Sequence, residues 1–211
     1  MLTVHHLAMS QSDRIVWLCE ELELPYRLVR YERDPVTRLA PPEYRALHPF
    51  GTAPAITDGE IVLGESGAII EYLINRHASG RLAVVPSAVN YPEYLFWFHF
   101  ANASLLPSTM MDMIVAMIGQ DTDVTRTLRE RGNTAFAMIE SRLSESPYLA
   151  GSEFTAADII TLFPLTTGRL FVPRDLGPYP DIRRYLQRIG ERPAFQRAMA
   201  KADPDLPPHL T

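Results

Sequence analysis

Three short segments carry residue types that could do chemistry. The first, Ser10-Gln11-Ser12-Asp13, follows a strand-like run from Leu2 to His6. It precedes a helical stripe of Ile15, Leu18, Cys19 and Leu22. Hydroxyls at such a turn lie where backbone N–H groups and the positive end of a helix dipole favour an anion, a thiolate included. A redox dithiol at this turn needs C-x-x-C. Both places hold serine, so the chain's own thiols cannot perform dithiol chemistry. The second segment runs from His48 to Ile56 (HPFGTAPAI), with Pro54 opening a strand, which a sheet admits at an edge or with a cis bond. The third, Gly64-Glu65-Ser66-Gly67, puts a carboxylate and a hydroxyl at a helix start. Taken singly, each is also ordinary: Ser, Asp and Glu cap helices, and by frequency alone the Ala53–Pro54 bond is trans.

The elements that must hold these segments alternate over the first eighty residues. Strand signals fall at 2–6, 26–31, 54–57 and 61–63, the last two joined by the hairpin signal Asp58-Gly59. Helical periodicity starts after Asp13, briefly at Pro42, and again at Glu65 with Ile69, Ile70, Leu73 and Ile74 on one side. The order is βαβαββα, an α/β unit of thioredoxin size. Residues 80–89 hold Gly80, Ser87 and Pro86 and read as a linker. Beyond it every signal is helical: a long helix over 91–118 bent at Pro107, a second over 124–143, and others near Ala156, Ile182 and Phe195. The fold class expected is α/β plus all-α, with an N-terminal domain over 1–79 and a helical bundle over 90–211.

Composition narrows the function. The chain has 211 residues and a net charge of −5, without the basic excess of a nucleic-acid binder. Hydrophobic residues make up 46%, enough to fill the core that roughly 70% surface burial at this size implies. Cys19 is the single cysteine, so no intramolecular disulfide and no cysteine-rich metal site can form, and a reducing, cytoplasmic compartment is the natural expectation. The start, MLTVHHLAMSQSD, shows neither the basic region nor the apolar run of a signal peptide. The most apolar stretch, Tyr94 to Ile118, is interrupted by His99, Asn102, Pro107 and Asp112, which argues against a membrane span. Cys19 lies in an apolar helical stripe and reads as a small buried hydrophobe. Of the 20 basic residues only Lys201 is a lysine, so an interior anion must be met by arginine, histidine or backbone N–H.

Strand–SxS–helix, then HPxGxxPxI, then a hairpin, then ESGAIIEYL resembles the N-terminal domain of cytosolic glutathione S-transferases. The segment Phe154-Thr155-Ala156-Ala157-Asp158-Ile159 looks like that family's capping box in the helical domain. WLCEELELPY and YLFWFHFANASLLP are most similar to a bacterial and fungal group. The resemblance covers nearly the whole chain. It implies glutathione as co-substrate and no metal. Ala53 and Pro54 would form the cis-proline turn whose backbone pairs with the cysteinyl moiety, and Glu65 and Ser66 would hold the γ-glutamyl end. Their chemistry agrees: a carboxylate suits an α-ammonium, and a hydroxyl with helix N–H groups suits an α-carboxylate. No tyrosine follows the first strand. That leaves Ser10, spaced from Arg14 as in the serine-type pattern, to donate a hydrogen bond to the thiolate, with Ser12 as second choice.

Where the family commonly has lysine or glutamine, this chain has Thr52. Arg38 and His48 are the nearest candidates for the glycyl carboxylate. The electrophile pocket is expected between the domains, with His99, Asn102, Leu106, Met110, Met111 and Met113 from the long helix and Met9 from the Ser10 turn. Core packing is the alternative for each. The resemblance further implies a homodimer, with the α/β domain of one chain meeting the helical domain of the other. The function expected is activation of glutathione for conjugation to small hydrophobic electrophiles in detoxification, or for peroxide reduction. Alternatives are a non-catalytic binder of glutathione or an apolar ligand, and a specialised glutathione-dependent isomerase or dehalogenase.

Overall fold

β-Branched and aliphatic residues make β1 (Leu2–Leu7) the buried centre of a four-stranded sheet. The computed structural model describes all 211 residues. β1 pairs in parallel with β2 (Arg27–Tyr31) and antiparallel with β3 (Ala55–Asp58), which pairs with β4 (Ile61–Gly64). The order is β2-β1-β3-β4. The β3–β4 register closes Asp58 on Ile61, and Gly59 supplies the positive φ (61°) that a two-residue hairpin loop demands. Helices α1 (Asp13–Glu21), α2 (Pro42–Arg45) and α3 (Ser66–His77) complete the βαβαββα order read from the sequence.

α1 is buried from Asp13 to Glu20, far more than a one-sided stripe provides. The reason lies at the other end of the chain. α9 (Pro193–Ala202) packs along α1, with Phe195 edge-on to Trp17 at 5.2 Å. Glu21 accepts from the Trp17 indole N–H at 2.9 Å and from Arg192 through two bonds of 2.7 and 2.8 Å. Glu20 accepts from Tyr26 at 2.7 Å, Lys201 at 2.5 Å and Arg197 at 3.1 Å. One compact unit is therefore Met1–Arg81 with Glu191–Pro208, and the other is Leu82–Gly190 with His209–Thr211. The sequence reading kept everything beyond residue 90 together. Periodicity marks a buried face on α9 but does not say which surface covers it. Glu21→Ala is expected to cost about 1–3 kcal/mol, because it strands a buried indole N–H and a guanidinium. Denaturant unfolding checks this, and a loss near zero would mean water replaces both contacts.

The helical unit begins with the run 91–118. It is not simply bent at Pro107: α4 (Tyr91–Phe100) passes into a π-helical turn (Ala101–Leu105) and then α5 (Leu106–Ile118). Proline lacks an N–H, and its ring pushes against the carbonyl four residues back, so the ladder widens one turn earlier. By length and composition this run is apolar enough to cross a membrane, with mean hydropathy 1.3, so its polar residues alone do not exclude a span. Here it is folded against α6 (Asp123–Glu145) and α7 (Ala156–Leu165), and its Asp112 pairs with Arg174 at 2.7 Å. α8 (Pro180–Gly190) packs on α6.

α7 opens with the expected capping box between Thr155 and Asp158. The fully buried Asp158 carboxylate accepts from the Thr155 N–H at 2.9 Å, the Leu149 N–H at 3.0 Å and the Tyr185 hydroxyl at 3.2 Å. Burial nevertheless outweighs these bonds and pushes its pKa up to about 6.

Candidate functional site

The turn after β1 is built by contacts from three directions. Met9 has φ 50°, a left-handed conformation that a branchless side chain only tolerates when its surroundings fix it. The Met9 N–H donates to both oxygens of Asp203, at 3.2 and 3.3 Å, from the segment after α9. Arg33 donates to the Ala8 carbonyl at 2.9 Å and the Met9 carbonyl at 3.2 Å. Nothing in the sequence marked Asp203 or Arg33, because both reach the turn through tertiary contacts.

Ser10 and Ser12 differ in what their hydroxyls do. Ser12 is the residue before α1, yet its side chain caps nothing. Its Oγ accepts from the Leu7 N–H at 3.1 Å and lies 2.9 Å from His6 Nδ1. Ser10 Oγ lies 2.7 Å from Ser12 Oγ and accepts the Ser12 N–H at 3.2 Å. Ser12 has no exposure, whereas Ser10 keeps 4%. The ordinary capping reading thus fails for Ser12, and Ser10, itself buried, is the member of the pair that keeps any exposure. Cys19 is fully buried, and burial pushes its thiol well above the usual range.

Around β3 and α3 the remaining segments converge. The Ala53–Pro54 bond is cis, as the resemblance implied and frequency did not. Glu65 precedes α3 with φ 67° and ψ 122°, a region that favours glycine, and its side chain makes no cap bond. Its side chain is exposed, while Ser66 is buried beneath it. The opening N–H groups of α3 have no intrahelical acceptor. Arg14, buried in α1, donates to Ser66 Oγ at 3.4 Å and so ties α1 to the start of α3. Burial lowers its pKa to about 10, against the opposing pull of Asp13.

The other expected residues are placed less uniformly. Arg38 is exposed and left-handed (φ 61°), with its guanidinium 4.0 Å from Met9 Sδ. His48 instead accepts the Phe50 N–H at 3.3 Å and stacks on Gly64, where an added Cβ would meet the ring at 3.3 Å. Thr52 is exposed. In the helical unit His99 and Met110 are exposed, Asn102, Leu106 and Met113 are half-buried, and Met111 is exposed. None of these six is fully buried. No group of three or more His, Cys, Asp or Glu side chains could hold a metal ion.

A βαβαββα unit with a hydroxyl-bearing turn and a cis-proline before β3, joined to an all-helical unit, defines the class of thioredoxin-fold proteins with an added helical domain. The glutathione S-transferase N-terminal domain family matches residues 8–76, and the glutathione S-transferase C-terminal domain family matches residues 105–193. Glutathione S-transferase 3 of Schizosaccharomyces pombe is 32% identical over 96% of this chain and 88% of its own length. A crystal structure of a glutathione S-transferase from Actinobacillus pleuropneumoniae superposes with a TM-score of 0.88 and 34% identity, covering 96% of this chain and 93% of that one. Disulfide-bond oxidoreductase YfcG of Escherichia coli is 26% identical over 96% of each chain. The chain belongs to the cytosolic glutathione S-transferase family, and these relatives support a glutathione transferase function in general terms.

Proposed function

We propose that this protein binds glutathione on its α/β unit and uses Ser10 to hold the thiol as thiolate for attack on small hydrophobic electrophiles. The observation that carries this reading is Ser10 itself: a hydroxyl at the outer end of a buried hydrogen-bonded chain, at a turn fixed by Asp203 and Arg33. A free thiol with pKa near 8.5 is only about 3% ionised at pH 7. Lowering that pKa by two units takes about 2.7 kcal/mol and gives roughly 75% thiolate. A charge-assisted hydrogen bond with a helix dipole is of that size.

In this reading Ala53 and Pro54 meet the cysteinyl backbone, and Glu65 and Ser66 take the γ-glutamyl ammonium and carboxylate. Arg38 takes the glycyl carboxylate in preference to His48, whose Nδ1 and ring face are already engaged. Leu106, Met110 and Met113 of the helical unit supply apolar, adaptable surface for the electrophile, and His99 and Asn102 supply polar groups. The exposed apolar residues of α4 and α5, among them Phe96, Met111, Ile114 and Met117, support a homodimer. The lone cysteine suits a cytoplasmic setting.

Glu65 also offers a separable test. Its backbone favours glycine, so Glu65→Gly is expected to leave stability equal or higher by up to about 1 kcal/mol. The same change is expected to weaken glutathione binding at least tenfold. Thermal unfolding and calorimetric titration read the two effects, and unchanged affinity would remove Glu65 from the site.

A second reading is glutathione-dependent reduction of peroxides or disulfides, favoured by the oxidoreductase relative. Because Cys19 is inaccessible, both reducing thiols would come from glutathione. The deciding experiment titrates the protein with glutathione across pH, follows thiolate absorbance, and then compares an aryl halide, a hydroperoxide and a mixed disulfide as second substrates. Binding with an unshifted thiol would leave a ligand-holding module.

A further inference from the structure

The hydrogen-bonded chain does not stop at Ser12. His6, fully buried in β1, lies with Nδ1 2.9 Å from Ser12 Oγ and Nε2 3.3 Å from Asp203 Oδ2. Ser10, Ser12 and His6 thus form a hydrogen-bonded file, and Asp203 stands at its inner end in ion-pair range of His6 Nε2, which has no hydrogen-bond partner, all within one compact unit. The other charges facing this file come from Arg30 on β2 and Arg33 after it, which act on Asp203.

Two proton states run the length of the file, beside those in which Ser12 donates to the Leu7 carbonyl at 3.4 Å. An ionised Asp203 at 3.3 Å favours a proton on Nε2 in both. With neutral His6, Nδ1 is an acceptor and Ser12 donates to it. Ser12 then has acceptor places for the Leu7 N–H and the Ser10 hydroxyl, which turns the Ser10 proton inward. With His6 protonated, Nδ1 donates to Ser12, Ser12 donates to Ser10, and the Ser10 proton turns outward. Of these two, the second lets Ser10 donate to a thiolate. The first offers a Ser10 lone pair to a thiol S–H.

We infer that Asp203, His6, Ser12 and Ser10 form a proton relay in which His6 receives the proton that the bound thiol gives up. The thiol S–H proton moves to Ser10 Oγ as the Ser10 proton moves to Ser12 Oγ and the Ser12 proton moves to His6 Nδ1. The S–H bond breaks and an N–H bond forms, each hydroxyl gains one proton and loses one, and neutral thiol plus imidazole become thiolate plus imidazolium. No oxidant or reductant takes part. The Asp203 carboxylate, in ion-pair range of Nε2, favours the Nε2–H tautomer and balances the imidazolium, as in other carboxylate–imidazole–hydroxyl systems. His6 and Asp203 are positioning residues here, since they act through the two serines. The inference rests on the reading of Ser10 as the thiol's partner.

Imidazole nitrogen NMR of the intact protein tests it, with the His6 signal read before and after ligand is added. Glutathione and S-methylglutathione, which has no thiol proton, are titrated in parallel while thiolate absorbance is recorded. Glutathione is expected to raise the absorbance and convert His6 to imidazolium together, and S-methylglutathione to leave His6 neutral. Asp203→Asn, which keeps the acceptor for the Met9 N–H, is expected to raise the bound thiol's pKa by about one unit, a roughly tenfold loss of thiolate at pH well below that pKa. Thiolate formation with His6 still neutral, His6 protonated before ligand is added, or an equal response to both ligands would overturn the relay while leaving Ser10's role intact. Thiolate that persists in Ser10→Ala would instead overturn the Ser10 reading, and the relay with it.

Discussion

Ser10→Ala is expected to raise the pKa of bound glutathione by about two units and to cut kcat/KM at pH 7 roughly 25-fold, the ratio of about 75% to about 3% thiolate. Protein stability should fall by no more than about 1 kcal/mol, because the lost bonds at Ser12 leave its contacts to Leu7 and His6 in place. The rate deficit should shrink as pH rises, since at high pH the thiol ionises without help. A mutant with an unchanged pH–rate profile would exclude Ser10 as the thiolate's donor. Ser12→Ala provides the contrast: it strips the partner of a buried Leu7 N–H and of His6 Nδ1. Stability and thiolate formation should then both decline, whereas Ser10→Ala affects almost only the second.

Asp158→Ala should give the largest loss of stability, about 3–5 kcal/mol, because it leaves the buried N–H groups of Leu149 and Thr155 and the Tyr185 hydroxyl without an acceptor. Chemical unfolding measures this, and a loss under about 1 kcal/mol would show that the loop re-forms its bonds elsewhere. The pH dependence has a definite sign. The folded-state pKa of Asp158 is raised to about 6 from an ordinary value of 3.8. Its contribution is therefore fully present below about pH 4 and is lost as pH rises through about 6. Asp158→Asn carries no such titration, so the stability difference between wild type and this variant should change across that window and be flat outside it. A constant difference would mean that the carboxylate ionises normally when buried.

Several features were legible in the linear chain because they depend on local rules. The β-branched run at Leu2–Leu7, the Asp58-Gly59 turn, the apolar stripes of α1 and α3 and the Thr155–Asp158 box each follow from period, turn chemistry or capping over a few residues. The three chemical segments were found the same way, and their combination carried the resemblance to glutathione S-transferases. Local rules misplaced the break in the 91–118 helix by one turn, since a proline acts on the carbonyl four residues behind it.

What the linear chain left open were partners far apart in sequence. Ser10 and Ser12 are indistinguishable as residue types, and only their placement makes one a buried link to His6 and the other the end of the file. Asp203 stands 194 residues from Met9, and no period or motif connects them. It reaches the turn because α9 folds onto α1 through Phe195, Glu20 and Glu21. Composition and periodicity state which faces must be covered and which charges must be met. The choice among equally apolar faces and equally acidic side chains is made by three-dimensional packing, where shape and reach discriminate between groups that sequence patterns treat alike.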